Sequence, residues 1–431
     1  MKSRKIEKIG SGDQLHLWMM FEGNGTYIRV VVEMAEPVDG TVLKDAVESN
    51  LKVFPNMKKR LVIHRNKYFY VENYEKAPVF EQSGKGRAFC TDDTNGYSFY
   101  VAYEENKIHF TFMHHLADGI GLQLFASYVI RTYLRDRYKG EYEFDAAEEM
   151  KRSPFEDIVE PIDRIDKEKR TKTKAEYKLN KKAFSITGTS RKQDDTRLLI
   201  SMSEDRVVEL AHELGVTPTA VAISVFNIAI KNTYKPENEE LVSTVLADLR
   251  RRTGIYPLRN FYSMMFVSVN SDDIDIDPAE ECRAGGRRID AVSETAVANI
   301  KDTTDVVKLF LMIPGSVKRR ISTVKKLIGK ATEGVATYHL SYVRGIKQSE
   351  WYRSKVLGMT YEVFPAASSE PYIVIYSRNG LMRWEIIFLP DRDKLGSEIS
   401  KVLGELGIEC ETTEYKADFK DSFDIDRVEI I

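Results

Sequence analysis

Two adjacent histidines, His114 and His115, stand four and three positions ahead of an aspartate in FTFMHHLADGIGLQL, residues 110–124. An unperturbed imidazole titrates near ~6.5, so a histidine held at the mouth of a cleft can remove a proton near neutral pH as a general base. A carboxylate beside it, Asp118, can orient such a ring, as in serine proteases. Gly119 keeps side-chain bulk out of the way, and its N–H at the positive end of a helix is a candidate oxyanion donor. A metal centre built from His114, His115 and Asp118 is disfavoured: neighbouring strand residues diverge, and no further ligand cluster is apparent.

These residues need a strand, a tight turn and a helix to hold them, and the pattern supplies all three. In KIHFTFMHH, Ile108, Phe110, Phe112 and His114 share one face by the two-residue period, and Thr111, Met113 and His115 share the other. After Asp118, Leu122, Phe125, Val129 and Tyr133 form a helical stripe. Upstream, YIRVVVEM and KYFYVENY read as strands, and GTVLKDAVESNLKVFP as a helix closed by Pro55. Residues 141–195 turn acidic and then basic with few large apolar side chains, which predicts a solvated connection between two lobes.

The second half restarts with Ser201 and Glu204 at capping-box spacing, Gly215 as a helix stop, and Thr217-Pro218 as the next helix start. ELVSTVLADLRRR, NFYSMMFVSV and TYHLSYV read as strands, and Asn379-Gly380 predicts a tight hairpin turn. His339 reads as a structural strand histidine. The fold class expected is α/β: two lobes, 1–175 and 176–431, of mixed sheets flanked by helices, with the active-site channel between them.

A chain of 431 residues with 64 Lys+Arg against 66 Asp+Glu has a formal charge of -2 and no global basic excess, so nucleic acid is not an expected partner. Its three cysteines, Cys90, Cys282 and Cys410, are far apart, which suits a reducing cytoplasm better than a disulfide framework. AVAISVFNIAI is shorter than the ~20 residues that cross a bilayer, so no transmembrane segment is expected. DVVKLFLMIPGSVKRRISTVKKLIGK, 305–330, is apolar and then basic. It reads as a packed helix with a solvated lysine face, or as a surface for coenzyme A phosphates, a carrier or a peripheral membrane contact.

The stretch HHLADG resembles the His-x-x-x-Asp-Gly signature of the chloramphenicol acetyltransferase-like acyltransferases, a superfamily that includes nonribosomal peptide synthetase condensation domains and alcohol acetyltransferases. The signature puts the catalytic histidine four residues before the aspartate, at His114, and the other histidine of the common pattern at Met113. LKVFPNMKKRL, VVELAHELGVTPTAVAISVFNIAI, ADLRRRTGIYPLRNFYSMMFVSV and HLSYVRGI resemble further family segments in order, with Tyr342 where asparagine is usual.

The resemblance implies acyl transfer from a thioester, acyl-CoA being favoured, to an alcohol or amine, with His114 as general base. It implies that Asp118 pairs with an arginine, Arg250, and shapes the turn. Asn260 and Ser341 fall where second-lobe residues approach the reaction channel, and with His115 they are candidate substrate contacts. No permanently bound cofactor is implied; the thioester of coenzyme A or phosphopantetheine is a co-substrate, and an acyl carrier protein is a candidate partner. Met113 and Tyr342 keep a second reading open, a non-catalytic module of the same fold that binds acyl carriers.

Overall fold

The computed structural model describes residues 5–19, 26–82, 86–139, 144–166, 182–186, 196–332, 334–345, 348–364, 370–417 and 420–431. Its strands form three mixed sheets. The first runs Val356–Phe364, Tyr27–Met34, Lys107–Met113, Phe99–Glu104, Val79–Glu81, antiparallel except for the last pair. Lys107–Met113 is central; Ile108, Phe110 and Phe112 give it one wholly apolar buried face, and Thr111 and Met113 on the other face are buried as well. Ile108, Phe110 and Phe112 pack with Leu43 and Val47 of helix Gly40–Val53 and with Leu122, Phe125 and Val129 of helix Gly119–Arg137. Met113 belongs to a separate cluster with Trp18, Tyr70 and Phe310.

The second sheet has the order Cys410–Lys416, Thr196–Ser203, Leu381–Ile387, Tyr372–Arg378, Tyr338–Val343, Glu240–Asp248, Tyr262–Asn270. Helix Pro218–Tyr234, started by Thr217 and Pro218, is buried in its core; AVAISVFNIAI is therefore interior, and among the described residues no single helix is long and apolar enough to cross a membrane. Asn379 (φ 54°) and Gly380 (φ 76°) make the hairpin turn, both in the left-handed region a type I′ turn requires. Helix Glu204–Leu214 starts two residues later than Ser201 suggests. Ser201 lies inside strand Thr196–Ser203, paired with Arg383, and Ser203 caps the helix by accepting from the Arg206 N–H. Gly215 stops it at φ 68°.

The expected lobe boundary at 175/176 lies outside the described residues. Two later segments return to the first lobe. Val356–Phe364 pairs along the length of Tyr27–Met34, and Glu429–Ile430 joins Lys59–His64 and Lys67–Glu72 in the third sheet. The described part of the expected connection is more than a solvated tether. Ile158, Ile162 and Ile165 are buried, and Asp157 and Glu160 bind residues beside His114, as described below. In the apolar-then-basic segment, helix Ala296–Met312 ends at Met312 and a second helix, Val317–Thr332, follows. Phe310, Val317, Ile321 and Val324 face inward, whereas Leu309, Met312, Arg319, Lys325 and Lys326 are exposed.

Candidate active site

Strand Lys107–Met113 stops where the chain turns: the His114 N–H donates to the Thr26 carbonyl at 2.9 Å, and the Leu116 N–H to the Met113 carbonyl at 3.1 Å. The His114 ring is buried at the end of the strand, 9% exposed. Its Nδ1 lies 3.1 Å from Asn260 Oδ1. The amide of Asn260 can point only one way, because Nδ2 donates to the His114 carbonyl at 3.0 Å and to Asp13 Oδ1 at 2.8 Å, and a carbonyl cannot donate. Oδ1 therefore accepts from the ring, and His114 carries its proton on Nδ1. Burial holds the imidazole below its ordinary 6.5, against the opposing influence of its own backbone carbonyl, Asp118 and Asn260. The ring is neutral at pH 7 with its lone pair on Nε2, the form a general base needs.

Helix Ser11–Trp18 lies over this ring. His16 stacks on His114 with centroids 3.7 Å apart and planes 11° from parallel, and its Nε2 is 2.9 Å from the Tyr262 hydroxyl. Burial lifts the Tyr262 phenol well above its ordinary range, with Tyr372 and Asp118 acting the same way, so Tyr262 stays protonated and donates. Burial and the two neighbouring histidines hold His16 well below the ordinary imidazole range. A pocket lined by Leu15, Glu160, Ile162, Met264 and Ile300 among others reaches Asn260 and Tyr262, but neither His114 nor His16 is part of its wall. Glu160 also caps the helix, accepting from the Ser11 N–H and hydroxyl, each at 2.9 Å.

Asp118 is committed elsewhere. Its carboxylate accepts both arms of the Arg250 guanidinium at 2.9 and 3.0 Å, the Phe261 N–H at 2.9 Å and the Gly121 N–H at 3.0 Å. It thus ties the N-terminus of helix Gly119–Arg137 to the second lobe. Arg250 spends its remaining donors on the Pro257 and Arg259 carbonyls and on Asp248. Gly119 opens the helix, and a Cβ there would meet Val343 at an ordinary 3.8 Å. Gly121 is the tight position: a Cβ would sit inside the van der Waals shell of the Leu258 carbonyl oxygen and 2.8 Å from Ala117 Cβ. Gln123 Nε2 reaches the Arg344 carbonyl at 3.2 Å, so the helix also meets the end of strand Tyr338–Val343.

The other residues singled out in the sequence fall in different places. His115 is fully buried, its Nδ1 2.6 Å from the Tyr70 hydroxyl, and burial pushes its imidazole down to about 3. It is packed against Tyr70 rather than placed to touch a substrate. Asn260 has both ends of its amide engaged by His114 and Asp13, so it holds the ring rather than facing a thioester. Ser341 is half-buried near Tyr372, the neighbour that raises Tyr262. His339 pairs with Thr244 across two strands. Sequence reasoning missed Asp13, His16, Arg259, Tyr262 and Gly121. Gly121, Arg259 and Tyr262 had a signal, since they lie in segments already marked; Asp13 and His16 did not.

Comparison with solved structures places the architecture. The epimerization domain from the third module of tyrocidine synthetase B superimposes over 94% of this chain and 96% of its own, at 11% identity and a TM-score of 0.60. The trichothecene 15-O-acetyltransferase of Fusarium sporotrichioides covers 94% of this chain and 95% of its own, at 12% identity and a TM-score of 0.60. The wax ester synthase/diacylglycerol acyltransferase of Marinobacter aquaeolei covers 93% and 98%, at 15% identity and a TM-score of 0.52. The chain therefore has the chloramphenicol acetyltransferase-like fold of acyltransferases and condensation domains, in its two-lobed form. No family sequence model and no curated protein sequence matches it.

Proposed function

We propose that the protein is an acyltransferase that moves an acyl group from a thioester to an alcohol or amine, with His114 as general base. The observation that carries this reading is the Asn260 amide, whose orientation leaves His114 Nε2 as the basic nitrogen. Nε2 takes the acceptor's proton as its oxygen or nitrogen bonds to the thioester carbon. The carbonyl oxygen becomes an oxyanion, for which the Gly119 N–H at the positive end of its helix is the proposed donor. Collapse of the adduct breaks the carbon–sulfur bond, and the leaving thiolate takes the proton back from His114. A positioned base contributes roughly 10²–10⁴-fold, or about 3–5 kcal/mol of barrier.

Asp118 and Arg250 position the turn, and Ser341 is the proposed substrate contact on the second lobe. The donor favoured is acyl-CoA, used as a co-substrate without a permanently bound cofactor in the cytoplasm. The alternative donor is a phosphopantetheine thioester on a carrier protein. Exposed Arg319, Lys325 and Lys326 suit the phosphates of either, and with Leu309 and Met312 beside them also suit peripheral membrane contact.

Free thiol released from acetyl-CoA over a panel of alcohols and amines tests the proposal, with a carrier-bound thioester as a second donor. Turnover that falls at least a hundredfold in His114→Ala supports it. Equal turnover in His114→Ala overturns the assignment of the base. No turnover from either donor, with retained binding of coenzyme A or carrier, makes the chain a binding module instead.

A further inference from the structure

We infer that Asp13, on the N-terminal helix Ser11–Trp18, is a positioning residue for the same reaction: it acts through Asn260 to keep the His114 proton on Nδ1. The inference rests on His114 being the base. Three groups lie in series. The Asp13 carboxylate accepts from Asn260 Nδ2 at 2.8 Å and from the Asn260 backbone N–H at 3.4 Å, and Asn260 Oδ1 meets His114 Nδ1 at 3.1 Å. An asparagine amide is nearly symmetric in shape, so only its partners decide which end faces the imidazole. Asp13, placed opposite the ring, is one acceptor that draws the NH₂ end away from Nδ1. The other is the His114 carbonyl, which also attracts the ring's own proton directly, so the Asp13–Asn260 arm adds to a preference that the backbone already sets.

The carboxylate is itself held in place. Asp13 is 2% exposed, and its second oxygen takes a hydrogen bond from Arg259 at 3.4 Å. Arg259, 1% exposed, also binds Glu7 at 2.6 Å and Asp157 at 2.5 Å and lies over the Tyr70 ring. The helix can shift little against this set, because a Cβ at Gly12 would stand 3.0 Å from the Asn260 carbonyl oxygen. A carboxylate fixed on a neighbouring element, one amide away from the base, gives the ring the orientation that a directly bonded aspartate gives in other enzymes. Asp13 touches no reacting atom.

The test is Asp13→Asn, which keeps the shape but lets residue 13 offer either a donor or an acceptor to Asn260. In ¹⁵N-labelled resting protein without donor, the wild-type His114 ring, identified by its loss in His114→Gln, should be protonated on Nδ1 alone. In Asp13→Asn a second population protonated on Nε2 should appear. Thioester turnover at pH 8, above the value of about 7 to which burial raises the Asp13 carboxyl, should then show kcat lower by about ten- to a hundredfold, the range for losing a hydrogen bond to a charged group, with KM within about twofold.

A wild-type ring protonated on Nε2 overturns the inference without any variant, so the result stands even if Asp13→Asn fails to fold. An Asp13→Asn protein with an unchanged ring and kcat within about twofold of wild type also overturns it. Because the ring is read without substrate, a protein with the expected tautomers but no turnover sinks the acyl-transfer reading and leaves standing only that Asp13 sets the His114 tautomer.

Discussion

Replacing Arg250 by methionine tests whether Asp118 works as a clamp or as a catalytic carboxylate. The guanidinium meets both Asp118 oxygens at 2.9 and 3.0 Å, with the two side chains 2% and 8% exposed. Methionine fills most of the volume but leaves a buried carboxylate with only the Gly121 and Phe261 amides as partners. Removing one member of a buried pair costs about 3–5 kcal/mol, mostly from the charge left behind. Loss of the Arg250 donors to the Pro257 and Arg259 carbonyls adds to this. At about 2 °C per kcal/mol, the lower end for large domains, the melting temperature should drop by roughly 6–10 °C. Asp118→Ala removes the stranded charge, so the double variant should be more stable than the sum of the two single losses implies, with a coupling of about 3 kcal/mol. Urea unfolding of the four proteins measures it. Losses that add to within about 0.5 kcal/mol would refute the clamp.

Three further outcomes follow from the geometry. His114 is held below 6.5 by burial, so kcat/KM should rise with pH through an apparent pKa lower than 6.5 and be flat at pH 7; a midpoint above 7 counts against it as the base. His115→Gln should cost about 1–3 kcal/mol of stability through the Tyr70 contact, while kcat measured well below its melting temperature stays within about threefold of wild type. Gly121→Ala should destabilise by about 1–3 kcal/mol, whereas Gly119→Ala, with room for its methyl, should cost under about 1 kcal/mol; the two melting temperatures decide.

What the sequence showed depended on how local the cause was. Strand, turn and helix around His114 follow from periodicity, whereas the pairing of Asp118 with an arginine came only from the resemblance to the family signature. Arg250 was the arginine at the right strand exit. The shift from Ser201 to Ser203 as a cap reflects pairing: strand Thr196–Ser203 stays zipped to Leu381–Ile387 as far as Ser203, and a helix can begin only after it. Asp13 and His16 were illegible because an eight-residue helix in a charged N-terminus has weak periodicity, and its seat over His114 is set by contacts with residues 157–160 and 259–262. Asn260 was visible as a polar residue at a strand entrance. Which end of its amide faces the ring depends on partners nearly 150 and 250 positions away.

Strand Val356–Phe364 has a consequence for how the chain is made. Until it emerges from the ribosome, Tyr27–Met34 is the unprotected margin of an apolar sheet, with a row of unsatisfied backbone groups that any other extended peptide can occupy. Strand Tyr27–Met34 must wait through the synthesis of some 320 further residues for its own border, a delay during which a chaperone, or a stray strand, can reach it first.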